Sequence, residues 1–389
     1  MTERVEHDVI VAGLGMVAAL GADVITSCAA ARAGISRSSP IEHFPARSAV
    51  DGAAEAVIGH QASLLTHGFD GEARLIRLAQ GALVDLLVQS PDIPWRQRRH
   101  HFYLALPDLS RTKGGLDLVA DDEARQSRMD DVAWDQEEHP VDPRANQLRS
   151  ERILQHASSQ ARWPGQVELK YVSVSGHAGG LYAFEAARSD LVRGATDVAV
   201  VLGVDSLIDQ DTLEWLQVCG RLKCDGNPVG VQPGEAGAAV ALVRADTPRS
   251  NGAAAVLQRV SVASEARTLL SGATPAGQAL AHVVARSWSE TDAAVPWIIC
   301  DQNGEVYRAS DWGHAVVRLR AEHEAFADPI VWYPAVSFGD TGAASSLVGV
   351  SLVVRAWQRA YAPTMSAIVV ASSDDEPRAA LTLSYGGPQ

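Results

Sequence analysis

Cysteine is scarce in this chain. Of 389 residues only Cys28, Cys219, Cys224 and Cys300 carry a thiol, too few and too scattered for a disulfide framework. Cys219 and Cys224 stand close together but have no matching pair, so the spacing of a zinc site is missing as well, and reduced, mostly buried thiols are expected. Positive charge is also short. Lys and Arg number 33 against 47 Asp and Glu, a net charge of −14, which argues against the basic face that nucleic acid or an anionic membrane demands. No apolar run approaches the roughly 18 residues of a membrane-spanning helix. The opening Met1-Thr2-Glu3-Arg4-Val5-Glu6-His7-Asp8 lacks the basic-then-apolar order of a signal peptide. A soluble, cytoplasmic protein is the expectation. What the chain does have is 47% hydrophobic residues and 21% charged ones, the proportions of a globular protein with a large core.

The most informative segment is Tyr171-Val172-Ser173-Val174-Ser175-Gly176-His177-Ala178-Gly179-Gly180. It reads as an apolar strand, a sharp turn of small residues and a helix that begins near Leu181. That is the pattern of a nucleophile elbow, which holds one side chain on a strained backbone at the mouth of a helix and needs small neighbours two positions away, here Ser175 and Gly179. The position that should carry chemistry is therefore His177, neither a Ser nor a Cys.

Other segments are less specific. Val9 to Ala12 is a β run that ends in Gly13-Leu14-Gly15-Met16-Val17-Ala18, before an Ala-rich helix from about Asp23 to Ala33. This matches G-x-G-x-x-A, but no second strand ending in Asp or Glu follows, so the ribose-binding half of a dinucleotide fingerprint is missing. The glycines are read as a tight strand-to-helix turn. A helix is expected from about Gly71 to Gln89 and a strand at 102–107. Trp95-Arg96-Gln97-Arg98-Arg99-His100-His101 between them is read as a solvated basic loop. Ser110 to Gln155 gathers Asp121, Asp122, Glu123, Asp130, Asp131, Asp135, Glu137 and Glu138, and is read as a charged surface insertion or cap without EF-hand spacing. His60, His100, His101, His282 and His314 lack a partner pattern and are expected to be structural or exposed; Cys300 and most of Trp297, Trp312, Trp332 and Trp357 are expected in the core.

The second half repeats the first. Val336-Ser337-Phe338-Gly339-Asp340-Thr341-Gly342-Ala343-Ala344 is a second elbow, and Gly339-Asp340-Thr341-Gly342 shares G-X-x-G with Gly176-His177-Ala178-Gly179 at a separation of 163 residues. Two duplicated α/β halves, at 1–245 and 255–389, each sending an elbow to a shared central site, is the simplest architecture.

These landmarks together resemble the thiolase-like superfamily, and within it the β-ketoacyl synthases. Val9 to Val17 with Ala33-Gly34-Ile35-Ser36 resembles the family's opening, Arg193 to Ser206 resembles the segment that follows the catalytic helix, and Pro233-Gly234-Glu235-Ala236-Gly237 resembles its P-G-E-G-A-G element. The resemblance spans nearly the whole chain. It implies a thiolase fold, a five-layered αβαβα sandwich of two duplicated halves, and a dimer, with no cofactor or metal. It also implies that His177 stands at the position of the acyl-carrying cysteine, that Asn303 stands at the first catalytic histidine and Asp340 at the last polar residue, and that Tyr385 in Ser384-Tyr385-Gly386-Gly387 gates the pocket. The lysine that often precedes the last position is absent, because no Lys follows Lys223.

Claisen condensation needs a thiolate to take the acyl group and donors for the enolate and oxyanion that develop. An acyl-imidazole is labile, and an ionised Asp340 opposes a developing negative charge. His177 and Asp340 are expected to face each other as a hydrogen-bonded or ionic pair. On one reading the pair is structural and the chain is a catalytically degenerate scaffold or binding partner. Chain length factors, ketosynthase homologues without the cysteine that pair with an active ketosynthase, are one family precedent. Adaptors or chaperones encoded beside type VI secretion effectors are another, resembled by the run from Asp301 to Trp312. On the competing reading His177 is the general base of an acyl-transferring or thioester-hydrolysing enzyme. Expected partners are a second thiolase-fold chain as homodimer or heterodimer, an effector protein, or an acyl-carrier protein or acyl-CoA.

Overall fold

The run Val198–Ser206 is buried at every position. A strand of that kind has no solvent face, so layers must cover both of its sides. In the structure, a computed structural model that describes residues 8–47, 52–115, 118–119, 124–127, 129, 144–247, 255–289 and 295–387, they do. The chain runs β1 (Val9–Ala18), α1 (Val24–Arg32), β2 (Ser39–Arg47), β3 (Ala54–Gly59), α2 (Ser63–Thr66), α3 (Gly71–Gln89), β4 (His100–Ala105) and α4 (Ala145–Gln160). It continues through β5 (Leu169–Ser173), α5 (Gly179–Val192), β6 (Val198–Ser206), α6 (Gln210–Val218), β7 (Glu235–Arg244), β8 (Ala255–Ser264), α7 (Gln278–Ser287) and β9 (Trp297–Cys300). Last come α8 (Val306–Glu322), β10 (Ile330–Trp332), α9 (Ala335–Phe338), α10 (Ser345–Gln358), β11 (Ser366–Ser372) and β12 (Pro377–Tyr385).

Ten strands form one mixed sheet in the order β10-β9-β11-β12-β8-β1-β7-β6-β4-β5, and β2 and β3 form a separate hairpin. Read outward from β1 the neighbours are β7, β6, β4 and β5; read outward from β8 they are β12, β11, β9 and β10. At each step the pairing has the same sense, antiparallel twice and then parallel twice. The sides meet in a short antiparallel seam, Val9 with Leu257, Ile10 with Val256 and Val11 with Ala255.

Successive side chains of a strand point to opposite faces, and here alternate residues enter different cores. Val198, Val200 and Leu202 of β6 pack with α3 and α4, whereas Ala199 and Val201 pack with α5 and α10. In β11, Ala367, Val369 and Ala371 join that same central core while Ile368 and Val370 pack with α7 and α8. The layers are thus α3/α4, sheet, α5/α10, sheet and α7/α8, an αβαβα sandwich. Helix α10 is buried almost all round, as a helix between two sheets must be.

Several expectations need correction. Gly13 and Gly15 form no strand-to-helix turn, because β1 continues to Ala18. A Cβ on Gly15 would lie 2.2 Å from the Ala82 carbonyl oxygen and 2.3 Å from the Leu86 amide nitrogen, so these glycines let α3 lie directly on the strand. The 95–101 cluster is not simply solvated: Trp95, His100 and His101 are buried, and Trp163 Nε1 donates to His100 Nε2 at 2.6 Å. Of the expected charged insertion, α4 buries Ile153, Leu154 and Ala157 in the core, while the eight carboxylates named above lie outside the described residues. Asp340 follows the short helix α9 and not a strand, and the helix after His177 begins at Gly179.

The contact at Gly15 generates a prediction. Gly15→Ala must push α3 away from the sheet and is expected to lower stability by about 1–3 kcal/mol. Urea unfolding of wild type and variant tests this, and an unchanged midpoint contradicts it.

Candidate functional site

Strand β5 ends at Ser173, and the chain passes through a single 3-10 turn, Gly176–Ala178, into α5. Gly176 has φ +53° and faces Ser373, while a Cβ on Gly179 would come within 3.1 Å of Ser173 Oγ. Ser373 clamps the turn from the other half: its Oγ donates to Ser175 O at 2.5 Å and accepts from Ala178 N at 3.1 Å. These contacts fix the His177 backbone and leave its ring buried at the mouth of α5.

Asp340 is placed by a second tight turn. Gly339 has φ +68° and Gly342 φ +50°, and a Cβ on Gly342 would strike Asp205 Oδ2. The turn is stitched to residues 232–234, since Asp340 N donates to Gln232 O and Gly234 N to Asp340 O, both at 2.9 Å. Asn303 sits in the loop between β9 and α8.

The structure brings all three residues together. His177 Nε2 lies 2.7 Å from Asp340 Oδ1, and Asn303 Nδ2 donates to Asp340 Oδ2 at 2.7 Å. Gly342 N adds a bond to Asp340 Oδ1 at 2.8 Å. The other ring nitrogen, His177 Nδ1, lies 3.1 Å from Arg308 Nη2. A guanidinium can only donate, so Nδ1 is the acceptor there and the ring proton sits on Nε2, aimed at Asp340.

Around this line lies a wider set of charges. Arg308 bonds Asp374 Oδ1 at 2.8 Å and Asp301 Oδ2 at 3.2 Å, and also donates to Ser372 O. Arg221 makes a two-pronged bond to Glu305, at 2.7 and 3.0 Å, and a third to Asp374 Oδ2 at 2.9 Å. Its guanidinium lies 4.8 Å over the Trp215 ring. His177 and Arg221 come from one half of the chain; Asn303, Glu305, Arg308, Asp340 and Asp374 come from the other.

Electrostatics follow from this arrangement. Burial acts to raise the Asp340 pKa, but the charges and bonds of His177, Arg308 and Asn303 outweigh it and hold the carboxyl far below the usual range. Asp374 is lowered in the same way against burial, chiefly by Arg221 and Arg308. For His177, burial and Arg308 both disfavour a second proton. Asp340 overcomes them, and the pKa lies above the ordinary imidazole value.

The site opens into a cavity of about 420 Å³. Val174, Leu207, Trp215, Leu216 and Leu270 give it apolar walls, and His177, Asp340, Asp374 and Arg221 form its charged floor. Among the described residues no cysteine lines it: Cys28 and Cys300 are buried elsewhere with thiol pKa values pushed up by burial, that of Cys28 to about 12. No group of metal-ligating side chains occurs among the described residues. Tyr385 does not reach the cavity. Strand β12 begins at Pro377 beside the site and runs away from it, leaving Tyr385 against Trp357 roughly 25 Å along the strand. The residues that approach the cavity from this part of the fold are Asp374 and Asp375, in the loop that precedes β12.

Arg308, Glu305, Arg221 and Asp374 were not expected from the sequence. A signal was present for one of them. The buried face of α8 runs Arg308, Asp311, Trp312, Ala315, Leu319, an apolar stripe that opens with two charges.

No family model matches this chain, and no curated protein does. Solved structures do match. The oxazolomycin ketosynthase domain of Streptomyces albus JA3453 superimposes with TM-score 0.70 at 15% identity, over 99% of this chain and 75% of that one. The ishigamide ketosynthase/chain length factor gives 0.64 at 18% identity, over 98% of this chain and 100% of that one. The ketosynthase ApeO in complex with its chain length factor ApeC, from Xenorhabdus doucetiae, gives 0.64 at 14% identity, over 98% of each chain. The fold is therefore the thiolase-like ketosynthase fold. No described helix is long and apolar enough to cross a membrane.

Two predictions follow from the geometry. Asp340→Ala leaves the His177 ring and the Asn303 amide without their shared acceptor in a buried place, and is expected to cost about 3–5 kcal/mol of stability, read by denaturant unfolding. A loss below about 1 kcal/mol contradicts the importance given to the pair. His60 is fully buried beneath Gly339, neither of its ring nitrogens makes a well-formed hydrogen bond among the described residues, and burial, only partly offset by the Ser337 backbone, holds its pKa down to about 4 from 6.5. Its unfolded form takes up a proton first, so its contribution to stability falls as pH drops from about 6.5 towards about 4. His60→Leu should flatten that part of the stability profile, and a variant with the wild-type pH dependence contradicts the assignment.

Proposed function

We propose that this chain is a catalytically silent member of the ketosynthase-fold group, which acts by binding, as the partner or scaffold of a second thiolase-fold chain in the manner of a chain length factor. The observation that carries this reading is that both ring nitrogens of His177 are engaged, Nε2 by Asp340 and Nδ1 by Arg308. A general base needs a lone pair directed at its substrate. The only lone pair of the neutral ring is covered by a guanidinium N–H, and the protonated ring has none. An oxyanion formed over the elbow would also meet the ionised Asp340 and Asp374 where a condensing enzyme places donors. In this arrangement His177 directs no free lone pair into the cavity, so the geometry lends no support to the reading in which His177 drives acyl transfer or thioester hydrolysis.

Partnership with a like chain is supported by β5. This strand pairs with β4 on one side, and no described strand covers its other edge. Exposed edges are templates for a second chain. Two of the similar structures pair a ketosynthase with a chain length factor. The cavity remains as a place for an acyl group brought by a carrier protein or coenzyme A, held without being attacked. A role beside secretion effectors draws no support from 301–312, because Asp301, Asn303, Glu305, Arg308 and Asp311 are turned inward to bonds within the fold.

Incubation with acyl-CoA or acyl-carrier protein should leave the intact mass unchanged, and turnover to free acid should be absent. A covalent adduct on His177, or thioester hydrolysis abolished by His177→Ala, would sink the proposal.

A further inference from the structure

One nitrogen of Arg308 serves two acceptors. Nη2 lies 3.1 Å from His177 Nδ1 and 2.8 Å from Asp374 Oδ1. The imidazole edge and the carboxylate are thus held on either side of a single N–H-bearing atom. This arrangement suits a neutral ring only, because a second proton on Nδ1 would set donor against donor across 3.1 Å. Asp374, the other acceptor of that same nitrogen, is the carboxylate the arrangement offers to that proton.

We propose that His177 is a proton-operated switch in the joint between the two halves. Uptake of one proton at Nδ1 exchanges the Arg308 contact for a bond to Asp374, while Nε2 stays on Asp340. The proton comes from solvent and no other bond changes hands: Arg308 keeps Asp301 and the Ser372 carbonyl, and Arg221 keeps Glu305. Charge supports both states. With His177 neutral, Asp301, Glu305, Asp340 and Asp374 outnumber Arg221 and Arg308, so a further positive charge is accommodated.

The titratable groups that face the ring come from every packed element. The β9–α8 loop and α8 supply Asp301, Glu305 and Arg308, the turn before α10 supplies Asp340, and the loop after β11 supplies Asp374 and Asp375. The segment after α6 supplies Arg221, and the Arg111–Asp205 pair lies beneath the Gly342 turn. The ring's own element adds none. Asp374 belongs to the cavity wall, so the exchange carries the proton's arrival to the surface where a ligand would sit. The proposal concerns the ring and its neighbours, and stands or falls apart from the scaffold reading.

Nitrogen-15 NMR of the histidine rings in the full chain, from about pH 5 to about pH 9, tests it, with His177 assigned by its loss in His177→Gln. The expected result is the Nε2–H tautomer at high pH and a doubly protonated ring at low pH. Asp374→Asn should move the midpoint down by about one unit or more, and Asp374→Glu should restore it in part. A ring in one state across the whole range, or a midpoint that Asp374→Asn and Asp374→Glu both leave unmoved, overturns the switch. Should Asp374→Asn fail to fold, the wild-type tautomer decides: an Nδ1–H tautomer at high pH also overturns it.

Discussion

A buried charge is stable only beside its opposite, and at the centre of this site some of the opposites come from different halves of the chain. Arg221 from the first half is neutralised by Glu305 and Asp374 from the second, and His177 by Asp340. Such pairs contribute little net stability, since desolvation offsets most of the attraction, yet loss of one member strands the other. In the docked arrangement, which the antiparallel seam between β1 and β8 also holds, the Arg221 guanidinium meets its carboxylates from the other half. The tight turns at Gly176, Gly339 and Gly342 hold the backbone for that docking.

The same network engages the side chain that the elbow presents. An elbow is useful because it presents one atom to a cavity with its reactivity unspent. Here the turn, the helix mouth and the cavity are all present, while the presented side chain is bonded at both ends. The ketosynthase fold is present, and the elbow side chain is met by neighbours that arrive from α8 and from the turn before α10. Geometry at the elbow and chemistry at the elbow are separable properties.

How far this was legible in the sequence varies with the kind of signal. The elbow could be read because small residues at Gly176 and Gly179 answer a local backbone demand. The layer order was implied by the resemblance to a family, and β6 and β11, buried on both faces, bear it out. Asn303 and Asp340 were placed by resemblance to a family, and the fold brings them to His177. Arg221 and Asp374 could not be read, since each is a charged residue in a loop and only tertiary contact distinguishes it from a solvated one. The 95–101 cluster was misjudged for a related reason: its charges suggested solvent, whereas Trp95 is buried ahead of β4 and the consecutive His100 and His101 that open β4 are both buried. Gly15 was misjudged because a glycine that admits a helix and a glycine that makes a turn look alike in one dimension.

The central position of β1 has a consequence for the history of each molecule. Val9 pairs with Arg244 on one side and with Leu257 on the other, so β1 lies far along the chain from both of its strand partners. Until residues 235–244 have been made, this apolar segment of ten residues has no strand partner among the described strands. Topologies dominated by such distant pairings fold slowly and expose unpaired strand edges while they do so. Synthesis of this chain therefore passes through a long interval in which its future centre lies open, and holdase chaperones or a slow translation rate bear most directly on its yield at that stage.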